Sequence, residues 1–166
     1  MPMFYEECAT PLGNLLVVTQ HLGHLTHIVF DASTDRRELA RAARVRANAH
    51  SREMTRAVVE QIQRYFARDL TLFELQLAPR GTVFQQRVWA QLARIPFGHT
   101  RSYGQIAATL GQPRAARAVG AANGKNPISI IIPCHRLVGS TGAMTGYAGG
   151  VAAKRWLLEF EAEGLV

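Results

Sequence analysis

Apolar and polar residues alternate along the first thirty positions, around two turn signals. The turn signals are TPLGN at 10–14 and HLGH at 21–24, and apolar stretches at 15–18 and 25–30 follow them. Alternation bounded by turn residues is typical of antiparallel strands. The pattern therefore predicts a short antiparallel meander at the start of the chain.

The spacing of apolar residues then changes. Between 54 and 66 they recur every three or four positions, which predicts an amphipathic helix over 53–69. Strict alternation returns at 72–77 and ends at Pro79, as in a strand. Residues 35–50 are rich in Arg and Ala, and the pattern leaves open whether they form an exposed helix or a loop.

A boundary follows at APRGT, residues 78–82, where Pro and Gly precede a change to helical periodicity. We therefore predict one domain over 1–79 and a second over 80–166. The first combines a small antiparallel sheet with a helix, and the second is mostly helical. The overall fold class is α/β, in the sense of α+β.

Three helices are predicted early in the second domain. The first presents one apolar face and ends at Ile95, before PFG. The second starts at the N-cap Ser102 and closes with Gly111. The third has Pro113 at its first position and runs to Gly124. The last two are joined by a tight turn and predict a helix-turn-helix.

The second helix of this pair carries almost no long side chains except Arg114 and Arg117. A helix that reads the major groove of DNA normally presents several long polar side chains. Two interpretations therefore stay open, a slim helix for the minor groove and a core helix packed through small residues.

The segment NPISIIIPCHR, residues 126–136, is apolar up to Pro133 and predicts a strand buried on both faces. A glycine-rich loop over 139–150 follows, and glycine allows a backbone to approach a ligand closely. The last helix, over 151–164, places Glu161 beside an apolar face that points inward. That face comprises Trp156, Leu157 and Phe160.

The chain is basic, with a net charge of +7 at pH 7. Lys occurs only at 125 and 154, so the other 17 of the 19 basic residues are Arg, as in proteins of GC-rich genomes. The charge favours a polyanionic partner, although by itself it supports nucleic-acid binding only weakly. No apolar run is long enough to span a membrane and no signal peptide is present, which predicts a soluble, cytoplasmic protein.

Cys134 and His135 form the strongest candidate for chemistry. A cysteine with an ordinary pKa is mostly protonated at neutral pH, so a nucleophilic role requires a base. His135 is the neighbouring base, and a buried carboxylate behind it would orient the imidazole. Glu161 is the candidate carboxylate. The alternative for Cys134 is a small buried apolar residue, as we interpret Cys8.

His21, His24 and His27 are three residues apart, a spacing that could suit metal ligands. A solvated hairpin explains them better, because no cysteine or acidic cluster accompanies them. We predict no metal site and no cofactor.

Three segments together resemble the O6-alkylguanine-DNA alkyltransferases, in the bacterial form without a fused sensor domain. They are FQQRVWAQLARIPFGHTRSYGQIA at 84–107, RAARAVGAANGKNP at 114–127 and IPCHRLVGSTGAMTGYAGG at 132–150. The resemblance covers 82–161 continuously. It implies a ribonuclease H-like N-terminal domain and a winged helix-turn-helix-like C-terminal domain.

The resemblance implies an irreversible, single-turnover transfer of an alkyl group from O6 of guanine to Cys134. It also implies that O4-alkylthymine is a second substrate. His135 would deprotonate Cys134 through a water and Glu161 would orient His135. Asn126 would support the turn before the reactive strand, and Arg136 would have a structural or electrostatic role.

The implied partner is double-stranded DNA carrying alkylated bases, bound through its minor groove by a monomer, with cooperative binding left open. Tyr103 would help rotate the damaged nucleotide out of the stack, and Arg117 would fill the gap. The other implied DNA contacts are Arg114, Ala116, Ala118 and Ala121.

The implied guanine pocket uses backbone carbonyls of Cys134 and Leu137 as acceptors for the exocyclic amine. Leu137 stands where the family usually has Val or Ile, and Ala148 where some members have Ser. The implied pocket comprises Tyr103, Pro133, Leu137, Tyr147 and Ala148.

Two other classes of function remain as alternatives. One is a non-catalytic protein that binds alkyl lesions and recruits other repair factors. The other is a Cys-His-Glu hydrolase, which would leave the helix-turn-helix, Arg117 and Tyr103 unused.

Overall fold

The computed structural model describes residues 3–31, 37, 39, 45–46 and 49–164. The chain divides into two compact units, Met1–Pro79 and Arg80–Val166. Each unit has its own buried core. None of the helices in the described part of the chain is long and apolar enough to cross a membrane.

The N-terminal unit is built on a four-stranded sheet. Strands β1 (Met3–Thr10), β2 (Gly13–Gln20) and β3 (Leu25–Phe30) form the predicted antiparallel meander, which is confirmed. The first turn is closed by Thr10, whose hydroxyl donates to the Gly13 carbonyl at 2.7 Å and accepts from the Leu12 N–H at 3.1 Å. A two-residue strand β4 (Val45–Arg46) pairs in parallel with β1, so the order of the strands in the sheet is β3-β2-β1-β4.

Helix α1 (Ala49–Phe66) packs on this sheet. It begins before the predicted start at 53 and ends before the predicted end at 69. Its apolar face is buried because the helical spacing puts the members of that face on one side. The buried members are Val58, Ile62 and Tyr65.

The predicted strand over 72–77 is wrong. Leu77 forms a single bridge with Leu25, and Leu72 is 70% exposed. The side chain of Gln61 on α1 donates to the Glu74 carbonyl at 3.0 Å and accepts from the Glu74 N–H at 2.8 Å. A side chain thus satisfies backbone groups that would otherwise pair in a ladder. The predicted helix or loop over 35–50 lies mostly outside the described residues.

The C-terminal unit begins with α2 (Val83–Leu92) and α3 (Tyr103–Thr109). Each starts with a capping box, from Thr82 and Gln85 in α2 and from the predicted N-cap Ser102 and Gln105 in α3. Helix α2 ends three residues before the predicted Ile95.

Helix α4 (Ala116–Gly124) completes the helix-turn-helix. Pro113 at its first position was a wrong prediction, because Ala115 has non-helical backbone angles and its N–H bonds the Gln112 carbonyl in a separate turn. The indole N–H of Trp89 on α2 donates to the Ala122 carbonyl at 2.8 Å, which fixes α4 against α2.

The predicted strand over 126–136 is also wrong, although its burial was predicted correctly. Residues 128–133 wind through turns in which the Ile132 N–H bonds the Ile128 carbonyl, and Ile130 has a φ of 73°. A 3-10 turn (Cys134–Arg136) follows. Strand β6 (Leu137–Val138) then pairs in parallel with β5 (Arg101–Ser102). The chain closes with α5 (Val151–Glu163).

Candidate active site

A cleft of about 710 Å³ opens in the C-terminal unit. Its walls come from the start of α3, from α4, from the turn at Cys134 and from the glycine-rich loop. The lining residues are Tyr103, Ala116, Arg117, Gly120, Asn123, Gly124, Asn126, Cys134, Thr145, Gly146, Tyr147 and Ala148.

Cys134 lines this cleft and is only 3% exposed. Burial raises the pKa of its thiol to about 11, while a hydrogen bond with Asn126 and the positive charge of Lys154 act in the opposite direction. At neutral pH the sulfur therefore carries its proton. Any nucleophilic role requires a base that removes this proton during the reaction.

His135 is fully buried, and its Nε2 lies 2.8 Å from Oε1 of Glu161. Burial lowers the pKa of His135, although the hydrogen bond and the charge of Glu161 raise it. The ring is thus neutral, and Nε2–H donates to the carboxylate. Within the described residues Nδ1 has no hydrogen-bond partner, so its lone pair can accept a proton.

Glu161 is held ionised although it is buried. Burial by itself raises the pKa of its carboxyl, but hydrogen bonds from His135 and Arg136 outweigh this effect and hold the pKa well below the usual range. Arg136 donates from Nε to Oε2 at 2.9 Å and from NH2 to Oε1 at 2.8 Å. The Gly98 N–H lies 3.3 Å from Oε2. Arg136 therefore compensates the charge of the carboxylate that orients His135.

Arg136 is itself anchored, because its NH1 donates to the Ile95 carbonyl at 2.6 Å. Its guanidinium also lies 5.9 Å from the centre of the Phe97 ring. These contacts agree with the expected structural and electrostatic role.

Asn126 organises the turn that carries Cys134. Its amide donates to the Ile132 carbonyl at 2.8 Å, and its side-chain oxygen accepts from the Ile128 N–H at 3.0 Å. These two bonds hold the chain in the wound path that replaces the predicted strand.

Lys154 is a site residue that the sequence reasoning missed. Its side chain is fully buried, and Nζ donates to the Leu137 carbonyl at 2.6 Å and to the Thr145 carbonyl at 3.1 Å. Burial lowers the pKa of Lys154, while the nearby Cys134 raises it. The available signal was the spacing of Lys154, Leu157 and Glu161, which puts all three on one face of α5.

The tyrosines predicted for the site both line the cleft. The hydroxyl of Tyr103 lies 2.6 Å from that of Thr145, so the start of α3 contacts the glycine-rich loop. The ring of Tyr147 meets the imidazole of His135 edge-on, with centroids 6.4 Å apart. Ala148 belongs to the same wall.

Two predicted pocket residues are not among those that line the cleft. Pro133 and Leu137 are buried and do not belong to the cleft wall. The Leu137 carbonyl accepts a hydrogen bond from Nζ of Lys154 and keeps a second lone pair.

The predicted DNA contacts lie on and before α4. Arg117, Ala118 and Ala121 are exposed, and Arg117 and Ala116 border the cleft. Arg114 is exposed in the turn before the helix, outside the cleft.

In the part of the chain that the structure describes, no group of three His, Cys, Asp or Glu side chains is placed to hold a metal ion.

Two family models match the chain. The "6-O-methylguanine DNA methyltransferase, ribonuclease-like domain" matches residues 3–79. The "6-O-methylguanine DNA methyltransferase, DNA binding domain" matches residues 83–163.

Proteins of the same kind resemble the chain over most of its length. The methylated-DNA–protein-cysteine methyltransferase of Methanosarcina barkeri is 44% identical over 98% of this chain and 99% of its own. The Mycobacterium tuberculosis protein of that name is 60% identical over 103 residues, and the matched stretch spans 62% of each chain. A crystal structure of Mycobacterium tuberculosis OGT in complex with DNA superposes with a TM-score of 0.86 at 44% identity, over 97% of this chain and 94% of that one.

Proposed function

This chain belongs to the 6-O-methylguanine DNA methyltransferase family, and we propose that it repairs DNA by moving one alkyl group from O6 of guanine onto Cys134. O4-alkylthymine is a second substrate of the same site. The observation that carries the proposal is the buried His135–Glu161 pair, 2.8 Å apart, next to a cysteine that opens into a cleft.

The transfer is a single displacement at the alkyl carbon. The sulfur of Cys134 forms a bond to that carbon as the carbon–O6 bond breaks, and the electron pair of the broken bond moves into the guanine ring. The thiol proton passes to Nδ1 of His135 through a bridging water. The guanine anion then takes up one proton from solvent at N1 to become the normal base, and the imidazolium releases its proton to solvent. Glu161 stabilises the imidazolium that forms in this step.

The product is a thioether, which cannot revert to a thiol under the reaction conditions. Each molecule therefore acts once, and the reaction uses neither a cofactor nor a metal. A cytoplasmic site of action suits this chemistry, since the thiol must stay reduced.

The DNA partner is bound through α4. Arg117 borders the cleft and is exposed, so it can occupy the space that an extruded base leaves in the duplex. Because Ala118 and Ala121 are exposed and small, this helix can lie close to the minor groove. The protein binds as a monomer. A cleft of about 710 Å³ is within the usual size of small-molecule sites and accommodates a nucleobase.

A non-catalytic lesion-binding protein is the alternative function. Lesion binding alone does not require a neutral imidazole that is oriented by a buried carboxylate next to a thiol. The arrangement of His135 and Glu161 therefore favours the transfer.

Intact-mass measurement tests the proposal directly. The purified protein is mixed with a duplex carrying one O6-methylguanine, and we expect the protein to gain one methyl group. Cys134→Ala should lose the gain, whereas Cys8→Ala, a change at the other buried cysteine, should retain it. Binding of the lesion without any gain of mass in the wild-type protein would favour the lesion-binding alternative.

A further inference from the structure

We propose that Arg87 on α2 binds a phosphate of the DNA backbone, so that the DNA interface extends from α4 across the turn of the helix-turn-helix. The inference rests on the proposed function, because it takes duplex DNA as the partner. It adds to the interface a residue that lies outside α4 and outside the cleft.

The charge of the chain is unevenly distributed between the two units. Residues 1–79 hold nine Lys and Arg and nine Asp and Glu, whereas residues 80–166 hold ten basic and only three acidic side chains. The net charge of +7 therefore belongs to the C-terminal unit. All three acidic residues of that unit lie on α5, and one of them, Glu161, already pairs with Arg136. The unit thus has few carboxylates with which its exposed arginines could pair.

Arg87 is one of these exposed arginines. Its Nη2 donates to the Leu110 carbonyl at 3.1 Å, which ties the guanidinium to the end of α3. In the part of the chain that the structure describes, no carboxylate forms an ion pair with it. A guanidinium has five N–H donors, so four remain for a ligand after the carbonyl is bonded.

The bond to Leu110 places this charge at the beginning of the turn between α3 and α4. Arg114, which is also exposed, lies near the other end of the turn. The turn residues form a depression of about 450 Å³, lined by Gln112, Pro113, Arg114 and Ala115. Two arginines therefore flank a surface depression just before the helix that carries Arg117.

A purely structural role for Arg87 is the simpler explanation, because a cation near the last carbonyls of a helix stabilises it by about 0.3–1 kcal/mol. That role needs one donor, and a lysine supplies it equally well. It leaves four donors and an unpaired charge in a strongly basic unit. A phosphate would neutralise this charge through more than one N–H. The bond to Leu110 already restricts the side chain, which lowers the entropic cost of binding.

The test is the salt dependence of DNA binding. The affinity for an unmodified, fluorescently labelled duplex is measured by anisotropy between about 50 and 200 mM salt. The slope of log affinity against log salt reports how many phosphates the protein neutralises. Arg87→Gln should bind about tenfold more weakly, the effect of a charged hydrogen bond, and should reduce the slope by about one. Arg155→Gln removes the same charge from an exposed position of α5 and should change neither quantity.

A double variant shows whether the two arginines of the turn contact separate phosphates. Arg87→Gln combined with Arg114→Gln should reduce the slope by about two, because separate contacts contribute independently. A double variant with the same slope as Arg114→Gln alone would overturn the inference.

Arg87→Lys and thermal unfolding separate phosphate binding from support of the turn. Arg87→Lys keeps the charge and should therefore keep the slope of the wild-type protein. If Arg87 only supports the end of α3, Arg87→Gln should melt at a lower temperature and lose the same factor in affinity at every salt concentration. That result would also overturn the inference.

These outcomes leave the proposed function intact, since they concern which residues bind unmodified DNA. The proposed function itself fails if the wild-type protein takes no methyl group from O6-methylguanine. A wild-type protein that binds no duplex at all contradicts both.

Discussion

Nε2 of His135 donates to Oε1 of Glu161 across 2.8 Å, and both side chains are closed to solvent. Arg136 compensates the carboxylate charge from the other side, so a neutral imidazole is oriented by a buried ion pair. Because such a network has no solvent to replace a lost partner, the removal of one member affects the others.

Glu161→Gln should reduce the rate of methyl transfer by roughly 10²- to 10⁴-fold, the usual contribution of an oriented general base. It should also destabilise the protein by about 3–5 kcal/mol, because Arg136 becomes an uncompensated buried charge. Single-turnover kinetics and urea unfolding measure the two effects. Glu159→Gln, at an exposed position of the same helix, should change neither. Equal rates of methyl transfer for the two variants would show that Glu161 has no role in the reaction.

The pH dependence of transfer should follow His135 rather than Cys134. Burial lowers the pKa of His135 from 6.5, and the base must be neutral to accept the thiol proton. The rate should therefore be level from about pH 7 to pH 9 and decrease only as the pH falls through the lowered pKa. A rate that rises about tenfold per pH unit over that range would indicate instead that the free thiolate at Cys134 reacts without a base.

Alkaline stability should depend on Cys134. Its folded pKa of about 11 is raised above the ordinary 9.0, so its contribution to stability is complete below pH 9 and is lost as the pH rises towards 11. The full difference corresponds to roughly 3 kcal/mol. Urea unfolding at pH 8, 9, 10 and 11 should show a smaller alkaline loss for Cys134→Ser than for the wild-type protein. Parallel curves for the two proteins would contradict the raised pKa.

Lys154→Met should slow transfer by about tenfold, because the variant loses a buried cation that favours the thiolate of Cys134 and an anchor for the Thr145 carbonyl. The measurement is the single-turnover rate, with Arg155→Met at the exposed neighbouring position as the control. Reaction of Cys134 with a small alkylating reagent should slow in the same variant. An unchanged reagent rate would show that Lys154 acts through the loop and not through the sulfur.

Arg117→Ala should impair base extrusion more than chemistry. We expect the transfer rate on fully paired duplex DNA to fall by about 10- to 100-fold, since extrusion costs a few kcal/mol. A lesion placed opposite an abasic site should restore most of the rate. Arg114→Ala, outside the cleft, should mainly weaken binding and reduce the salt slope by about one. The same loss on paired and unpaired lesions would place Arg117 in the chemistry instead.

Local signals in the sequence were sufficient for several elements. Ser102 and Gln105 form a capping box because they are three residues apart, and Thr10 closes a turn with Gly13 for a similar reason. These bonds join residues that are close along the chain. Their geometry is therefore set by spacing alone.

The apolar run before Cys134 was misinterpreted as a strand because apolar character reports burial and not backbone path. The path is set by Asn126, which bonds backbone groups at Ile128 and Ile132. The strand predicted over 72–77 was wrong for a different reason. Apolar and polar residues do alternate there, but the side chain of Gln61 forms the hydrogen bonds to the Glu74 carbonyl and N–H that a neighbouring strand would otherwise form.

By itself the sequence determined the meander, the helix-turn-helix and the adjacency of the candidate nucleophile Cys134 to the candidate base His135. The tertiary structure alone decided that Lys154 is buried and that its Nζ bonds the carbonyls of Leu137 and Thr145. It also showed that Glu161, the predicted carboxylate, lies 2.8 Å from His135, which is 26 residues earlier in the chain. Burial and hydrogen bonding between distant segments depend on how those segments pack, and the spacing of residues along the chain does not contain that information.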